Sequence, residues 1–416
     1  MELSSLLCWL IFGVAYCGIA VGGLPGLTID RTGIALLGAI AMVAADVLPL
    51  KTALAAIDAP TLLLLFGLML VSAQLRLSGF YTRTAWALSR MTTHPKRFLL
   101  VLMAASGALS AVLVNDIVCL AFTPVVAAAA MRARLNPVPY LIGLACASNI
   151  GSAATLIGNP QNMLIGQVAK LDFGRFLLWC GVPSAVSLAA AYGLLLGRYR
   201  GRLGACEGTT ESCVQNPDPE PSGDAWQIRK GLWAAGAVMA LFFTQVPREL
   251  TALVAGGVLL CSRKMDVRRL LGLIDWSLIM LFCGLFVVIA GFETTGALGQ
   301  AVAWLSRHGV PLANPTVLVA AGAALSNLVS NVPAVMLLVR FLDGAQAEAW
   351  YVLALASTFA GNLITIGSIA NLIVIEQARG MGVTVTFREH ARAGVPVTVM
   401  SLLVVVAWVW LLNSVF

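Results

Sequence analysis

This chain is short of charge. Only 11% of its 416 residues are Asp, Glu, Lys or Arg, against 59% hydrophobic ones, whereas soluble domains carry about 25% charged residues. With a mean hydropathy of +0.90, that scarcity excludes a water-soluble globular protein and implies a multi-pass membrane protein. Other absences narrow the function. No G-x-x-x-x-G-K-[ST] phosphate loop occurs, so nothing suggests that the chain hydrolyses ATP itself. The three histidines, His94, His308 and His390, are read as loop residues without a metal cluster, and no constellation of nucleophile, base or metal supports an enzyme. Nine cysteines form no disulfide framework. Cys8, Cys17, Cys119, Cys146, Cys180, Cys261 and Cys283 fall in apolar runs, where a thiol is a small hydrophobe. Cys206 and Cys213 lack zinc spacing and are expected to be reduced in a cytoplasmic loop. The first apolar run, 6–21, has no basic segment before it and no small-residue cleavage pattern, so it is read as a retained helix. A net charge of +7 does not indicate nucleic acid, because Lys and Arg sit in short loops between apolar runs and act there as topology signals.

What the chain has in abundance is apolar length, written out twice. Residues 57–90 realign with 274–307 at a constant shift, matching Ile57/Ile274, Asp58/Asp275, Gly67/Gly284, Val71/Val288, Gly79/Gly296, Leu88/Leu305, Ser89/Ser306 and Arg90/Arg307. A spanning helix needs about 20 mostly apolar residues. Runs near 4–22, 33–50, 59–77, 98–131, 138–167 and 176–197 fill a first half, 1–198. Runs near 231–247, 250–262, 275–292, 314–342, 349–378 and 394–413 fill a second, 231–416. The segment 199–230, rich in Gly, Pro, Glu and Ser, reads as a flexible linker. One run in each half, about 98–131 and about 314–342, is broken near its middle by Asn115-Asp116 and Ser330-Asn331. A full double crossing needs about 40 apolar residues, so each is expected to be a re-entrant hairpin with its tip near mid-membrane.

The expected fold is an all-α polytopic membrane protein of two inverted repeats, each with five transmembrane helices and one re-entrant hairpin. An odd number of crossings turns the second half over. Most of the 26 Lys and Arg gather on one side, whereas Lys51, Lys170, Arg175, Arg248, Arg307 and Arg340 fall on the other. The richer side is expected to be cytoplasmic, with both termini outside and the linker inside, in a plasma (inner) membrane of bacterial type. Segments 81–94 and 301–308 mix Trp and Leu with basic residues and read as helices lying in the interface.

Four interruptions carry the chemistry. Besides the two tips, the run about 138–167 breaks at Ile157-Gly158-Asn159-Pro160-Gln161-Asn162, and the run about 349–378 breaks at Ile366-Gly367-Ser368-Ile369-Ala370-Asn371. Paired interruptions at equivalent places in two halves are a strong pointer to a transporter's binding site. A helix N-terminus is expected after each, near Ile117, near Val332, after Gly158 and after Gly367, where free N–H groups favour an anion or an oxygen-rich neutral solute. Asn115, Asn149, Asn159, Asn162, Asn331, Asn362 and Asn371 supply amides, and Ser330 and Ser368 supply hydroxyls. No resident cofactor is expected, although carbonyls of the unwound stretches could take up Na+. Asp116 is the one carboxyl placed near the bilayer centre, where a charge costs about 2.5–3.5 kcal/mol. It could ligand Na+, exchange a proton or accept a hydrogen bond from substrate; alternatively it caps the helix beginning at Ile117. Asp46, Asp58, Asp275, Glu293 and Glu376 lie nearer span ends and read as solvated or interfacial. Cys119 and Cys146 flank the first site, where packing competes with binding of a soft metalloid. For an isolated small residue such as Gly67 or Ser184, close helix packing is the plainer reading.

The stretch from Ala147-Ser148-Asn149 through Gly158-Asn159-Pro160-Gln161-Asn162, together with Asn115-Asp116 and Ser330-Asn331-Val332-Pro333, resembles the ion transporter superfamily. That superfamily includes divalent anion/sodium symporters, CitMHS-like carriers, the arsenite pump membrane subunit and NhaD-type sodium/proton antiporters. The resemblance implies a homodimer in which a transport domain slides like an elevator against a scaffold, with a cytoplasmic ATPase subunit as partner if the chain is of the arsenite type. Carboxylate symporters typically carry Ser-Asn-Thr at each tip. Here the tips are Val114-Asn115-Asp116 and Ser330-Asn331-Val332; the first looks more like the arsenite and antiporter branches, while the Gly-Asn-Pro-Gln-Asn break looks like bacterial anion permeases. The function expected is secondary active transport of a small anion or a neutral oxyacid, of arsenite or antimonite type, coupled to H+ or Na+. Alternatives are a sodium-coupled di- or tricarboxylate symporter, a sodium/proton antiporter and, in another class, an anion channel.

Overall fold

The computed structural model describes residues 3–23, 26–204, 223–308, 311–312, 314–342 and 346–415. Cys206, Cys213 and most of the 199–230 linker lie outside the described residues, among which the regular structure is all helical. Helices α1 (Leu3–Val21), α2 (Arg31–Ala44), α3 (Leu50–Ala55), α4 (Ala59–Leu77) and α5 (Phe80–Ser89) lead to a hairpin, α6 (Pro95–Val112) and α7 (Asn115–Arg132). An interrupted pair, α8 (Pro137–Ser152) and α9 (Pro160–Val168), and the long α10 (Phe173–Arg198) follow. The same succession then recurs. It runs through α11 (Ala225–Leu241), α12 (Arg248–Leu260), α13 (Val267–Leu271), α14 (Trp276–Glu293) and α15 (Ala297–Arg307) to a hairpin, α16 (Pro315–Val329) and α17 (Asn331–Leu338). Last come the interrupted pair α18 (Ala347–Ala360) and α19 (Ile369–Gly380), and α20 (Phe387–Val415).

Local chemistry sets many of these starts. Asp58 and Asp275, matched in the repeat, each cap a helix: their Oδ1 atoms accept from Thr61 N at 3.3 Å and Leu278 N at 2.9 Å, satisfying donors that the first turn leaves free. Asn136, Asp172, Asp224 and Asn314 cap α8, α10, α11 and α16 in the same way. Seven helices among the described residues are long and apolar enough to cross a membrane: α1, α4, α6, α7, α10, α14 and α20. The two hairpins differ in size. The arms of the first are 18 residues each, about 27 Å at 1.5 Å per residue, whereas those of the second are 15 residues and 8, the latter prolonged by a 3-10 turn over Val339–Phe341. The apolar count understated the first because α6 begins in polar sequence at Pro95-Lys96-Arg97, and α7 starts at Asn115, two residues ahead of the expected Ile117.

Packing falls into two groups. In one, α12 and α11 lie on α4, and α2 and α1 lie on α14. Gly67 abuts the backbone of Ala252, and Gly284 abuts the backbone of Ala35, with no room for a Cβ at either glycine. The offset from Gly67 to Gly284 also relates Ala35 to Ala252, so one close approach is made twice, reciprocally. In the other group α6 packs on α8 as α16 packs on α18, α8 on α10 as α18 on α20, and α10 on α20. The short segments cross over, α9 against α17 and α19 against α7, which brings the hairpin of each half to the break of the other.

Gly67→Ala and Gly284→Ala force helix backbones apart, and overpacking of this kind costs about 1–3 kcal/mol. Thermal unfolding of the purified protein is expected to show a lowered midpoint for each, with Gly13→Ala, whose Cβ meets nothing within 4 Å, close to the parent chain.

Candidate functional site

The four interruptions meet at one small cavity of about 30 Å³. Its walls are Asn115 and Asp116 from the start of α7, Pro160 and Gln161 from the start of α9, Ser330, Asn331 and Val332 around the start of α17, and Ser368 and Ile369 at the start of α19. Every wall residue thus belongs to the beginning of a helix, the positive end of its dipole. The lining holds one carboxyl group, Asp116, and no Lys, Arg or His among the described residues. A volume of this size accommodates no more than a couple of waters, so the walls stand nearly closed.

At the first tip, Asn115 N donates to Gly158 O at 3.2 Å and Ser148 Oγ donates to Asn115 O at 3.2 Å. Asn115 Nδ2 reaches Asn149 Oδ1 at 3.4 Å, while its own Oδ1 is buried without a partner. Asp116 is half-buried. It does not cap a helix, because the cap position of α7 is Val114 and no side chain closes it. At the second tip Ser330 has φ 77° and ψ 158°, a region essentially reserved for glycine and found in other residues where a fold imposes it, often at ligand clamps. Asn331, with its amide nitrogen oriented toward Ser357 O and Gly367 O, donates to both at 3.1 Å.

The unwound stretches are held by one device used twice. Asn162 Nδ2 donates to Ser152 O at 3.4 Å and Thr155 O at 3.0 Å; Asn371 Nδ2 donates to Gly361 O at 2.7 Å and Ile364 O at 3.1 Å. All three pairs of residues share one offset. Asn159 and Ser368 cap the helices that follow, accepting from Asn162 N at 2.9 Å and Ala370 N at 3.2 Å. Gly158 is pressed against the backbone of Ser152 and Ser110, and Gly367 against Asn327 and Gly361, so the turns themselves need the missing side chain.

Asn149 joins the breaks. Its Oδ1 accepts from Asn115 Nδ2 and from Ser368 Oγ at 2.9 Å, and its Nδ2 donates to Asn362 Oδ1 at 2.9 Å and Asn371 Oδ1 at 3.1 Å. An amide has two donors and two lone pairs, and Asn149 uses all four. Of the residues singled out in the sequence, the structure therefore brings Asn115, Asp116, Ser330, Asn331 and Ser368 to the cavity wall. Asn149, Gly158, Asn159, Asn162, Asn362, Gly367 and Asn371 form the buried frame behind it. Cys119 and Cys146 are free, fully buried and outside the wall.

Two contributors escaped the sequence reading. Gln161 lies in the wall, with Nε2 3.3 Å from Thr358 Oγ1, which also receives Asn159 Nδ2 at 3.3 Å; its place inside the quoted break motif was the available signal. His390 is not a loop residue. It is buried within α20, with Nε2 3.2 Å from Asn362 O. The helix extends through polar Arg388-Glu389-His390 ahead of the apolar run from 394, and hydropathy does not register such an extension.

Residues 7–360 match the citrate transporter family, CitMHS. The chain belongs to that family. Its relatives include an uncharacterized transporter of Mycobacterium tuberculosis, 30% identical with 98% of each chain covered. A silicon efflux transporter of Oryza sativa subsp. japonica is 29% identical over 94% of each chain. The putative transporter arsB of Dictyostelium discoideum is 23% identical over 93% of this chain and 88% of that one. In fold the chain is similar to the YdaH transporter of Alcanivorax borkumensis, with a TM-score of 0.57 at 14% identity, covering 99% of this chain and 98% of that one. Membership in a transporter family agrees with the resemblance to the ion transporter superfamily and with a multi-pass membrane protein.

Each clamp residue of this family member holds two carbonyls, and an unsatisfied buried polar group costs about 1–3 kcal/mol. Asn162→Ala and Asn371→Ala are expected to lower the thermal midpoint accordingly, and Asn149→Ala at least as much, in unfolding experiments on the purified protein.

Proposed function

We propose that this chain is a secondary active transporter of a small oxyacid, taken as the neutral acid or its singly charged anion and coupled to H+ or Na+. The observation that carries this reading is the meeting of four helix N-termini around a single carboxyl group with no basic side chain. Each N-terminus presents roughly half a positive charge, and ionised Asp116 offsets part of the total. A small polyhydroxy acid matches such a wall: its oxygens accept from the N–H groups and amides, and its hydroxyls donate to Asp116 and to the unpartnered Asn115 Oδ1. Relatives named for silicon efflux and as arsB support a solute of this class. A sodium-coupled carboxylate symporter is the second reading, favoured by the family's citrate description; it must bring several negative charges beside Asp116 without a cationic side chain.

The proposed architecture is two inverted repeats, 1–198 and 231–416, with re-entrant hairpins and both termini outside. The tip at Asn115 bonds to Gly158, and α9 runs on for 9 residues, about 13 Å, which supports a tip that stops short of the far face. The helices α1, α2, α4, α11, α12 and α14 serve as scaffold, and the hairpins with the broken helices move against it as an elevator in a homodimer. A nearly closed cavity requires such movement. Asp116 is the coupling group, no resident cofactor takes part, and a cytoplasmic ATPase subunit joins only if transport is of the arsenite pump type.

Proteoliposomes loaded with arsenite, silicic acid or citrate and given H+ or Na+ gradients test this. Saturable counterflow of an oxyacid is expected, and Asp116→Asn should lower proton-driven flux by about tenfold or more while the protein stays folded. Citrate transport alone moves the assignment to the second reading, flux without counterflow indicates a channel, and undiminished proton-driven flux in Asp116→Asn removes the coupling role.

A further inference from the structure

Away from the candidate site, a much larger cavity opens where the start of α6 meets the end of α10. Its volume is about 860 Å³, within the ~300–1,000 Å³ typical of small-molecule sites. His94 just before α6 and Lys96 and Arg97 in its first turn line it, with Arg200 from the turn after α10, and Leu196 and Leu203 add apolar wall. Lys96, Arg97 and Arg200 are exposed and in no ion pair among the described residues, and no acidic residue is in the lining. The two walls are held in place. Tyr140 Oη lies 3.1 Å from Leu203 O and 3.5 Å from Pro95 O, and Tyr192 Oη donates to Lys96 O at 3.2 Å. The first turn of α6 adds N–H groups, since His94 makes no side-chain cap, and such groups suit a phosphate.

Position points to the source of that phosphate. The cavity sits at the ends of two helices long and apolar enough to cross a membrane, beside loops where the chain's Lys and Arg are concentrated; in the architecture proposed above this is the level of the cytoplasmic headgroups. Basic pockets between helices on that face bind anionic headgroups. We infer that this cavity holds the headgroup of an anionic phospholipid, its phosphate against Lys96, Arg97 and Arg200 and its acyl chains along α6 and α10. Such a lipid fastens the base of the first hairpin to α10.

The full-length protein in neutral detergent is titrated with phosphatidylglycerol, phosphatidylcholine and glycerol phosphate, and bound molecules are counted by native mass spectrometry. Phosphatidylglycerol is expected to bind about tenfold or more tightly than phosphatidylcholine. The triple variant Lys96→Gln/Arg97→Gln/Arg200→Gln should lose that preference, while Arg263→Gln/Arg268→Gln/Arg269→Gln, which removes equal charge elsewhere, keeps it. Equal binding of the two lipids, or an equal loss in the control variant, overturns the inference. Glycerol phosphate binding as tightly as the lipid also overturns it, in favour of a soluble phosphate ester. Should the triple variant not fold, Arg97→Gln and Arg200→Gln are each expected to reduce the preference, and no reduction in either overturns the site.

Discussion

A carbonyl released from a helix in the interior of a protein has no water to turn to, so the protein must bring it a donor. That constraint governs this structure. Unwinding between α8 and α9, and between α18 and α19, frees carbonyls whose donors are the amides of Asn162 and Asn371. With those groups satisfied α9 and α19 begin inside the protein, where their starts meet those of α7 and α17 at the hairpin tips.

The electrostatics of the cavity follow from the same arrangement. Positive potential comes from backbone dipoles and not from Lys or Arg, so it is fixed in direction and carries no long, mobile side chain. Asp116 sets one ionisable group against that background. Asn149 then links the parts, since its four bonds join Asn115 of the first tip to Asn362, Ser368 and Asn371 of the second interruption. Ser368, Asn371 and Asn115 thus share one amide as partner.

How much of this was legible in the sequence depends on the range of the interaction. Run lengths, the two tips and the two breaks are local signals, and Asn115-Asp116, Gly158, Ser330-Asn331 and Gly367 announce themselves as polar or small residues in apolar surroundings. The division of labour among the asparagines does not. Whether Asn149 contacts a solute or saturates itself on Asn362 and Asn371 is decided by partners more than 200 residues away, and nothing in its own neighbourhood records them. Helix starts in polar sequence were equally hidden: α6 at Pro95 and α20 at Phe387 begin outside their apolar runs, which is how His390 came to be read as a loop residue. The strained backbone of Ser330 has no composition signal at all, since a serine commonly sits at φ below zero.

The reciprocal contacts of Gly67 with Ala252 and of Gly284 with Ala35 have the form of an interface between two copies of one half-length subunit, each offering the same patch to the other. Two identical subunits, however, would be obliged to repeat every side chain, and the position answering Asp116 would again be an acid. Two carboxyls in so tight a space would contend for one proton. A single chain is free of that obligation: Val332 occupies the position that answers Asp116, and the cavity lining holds one unshared acid.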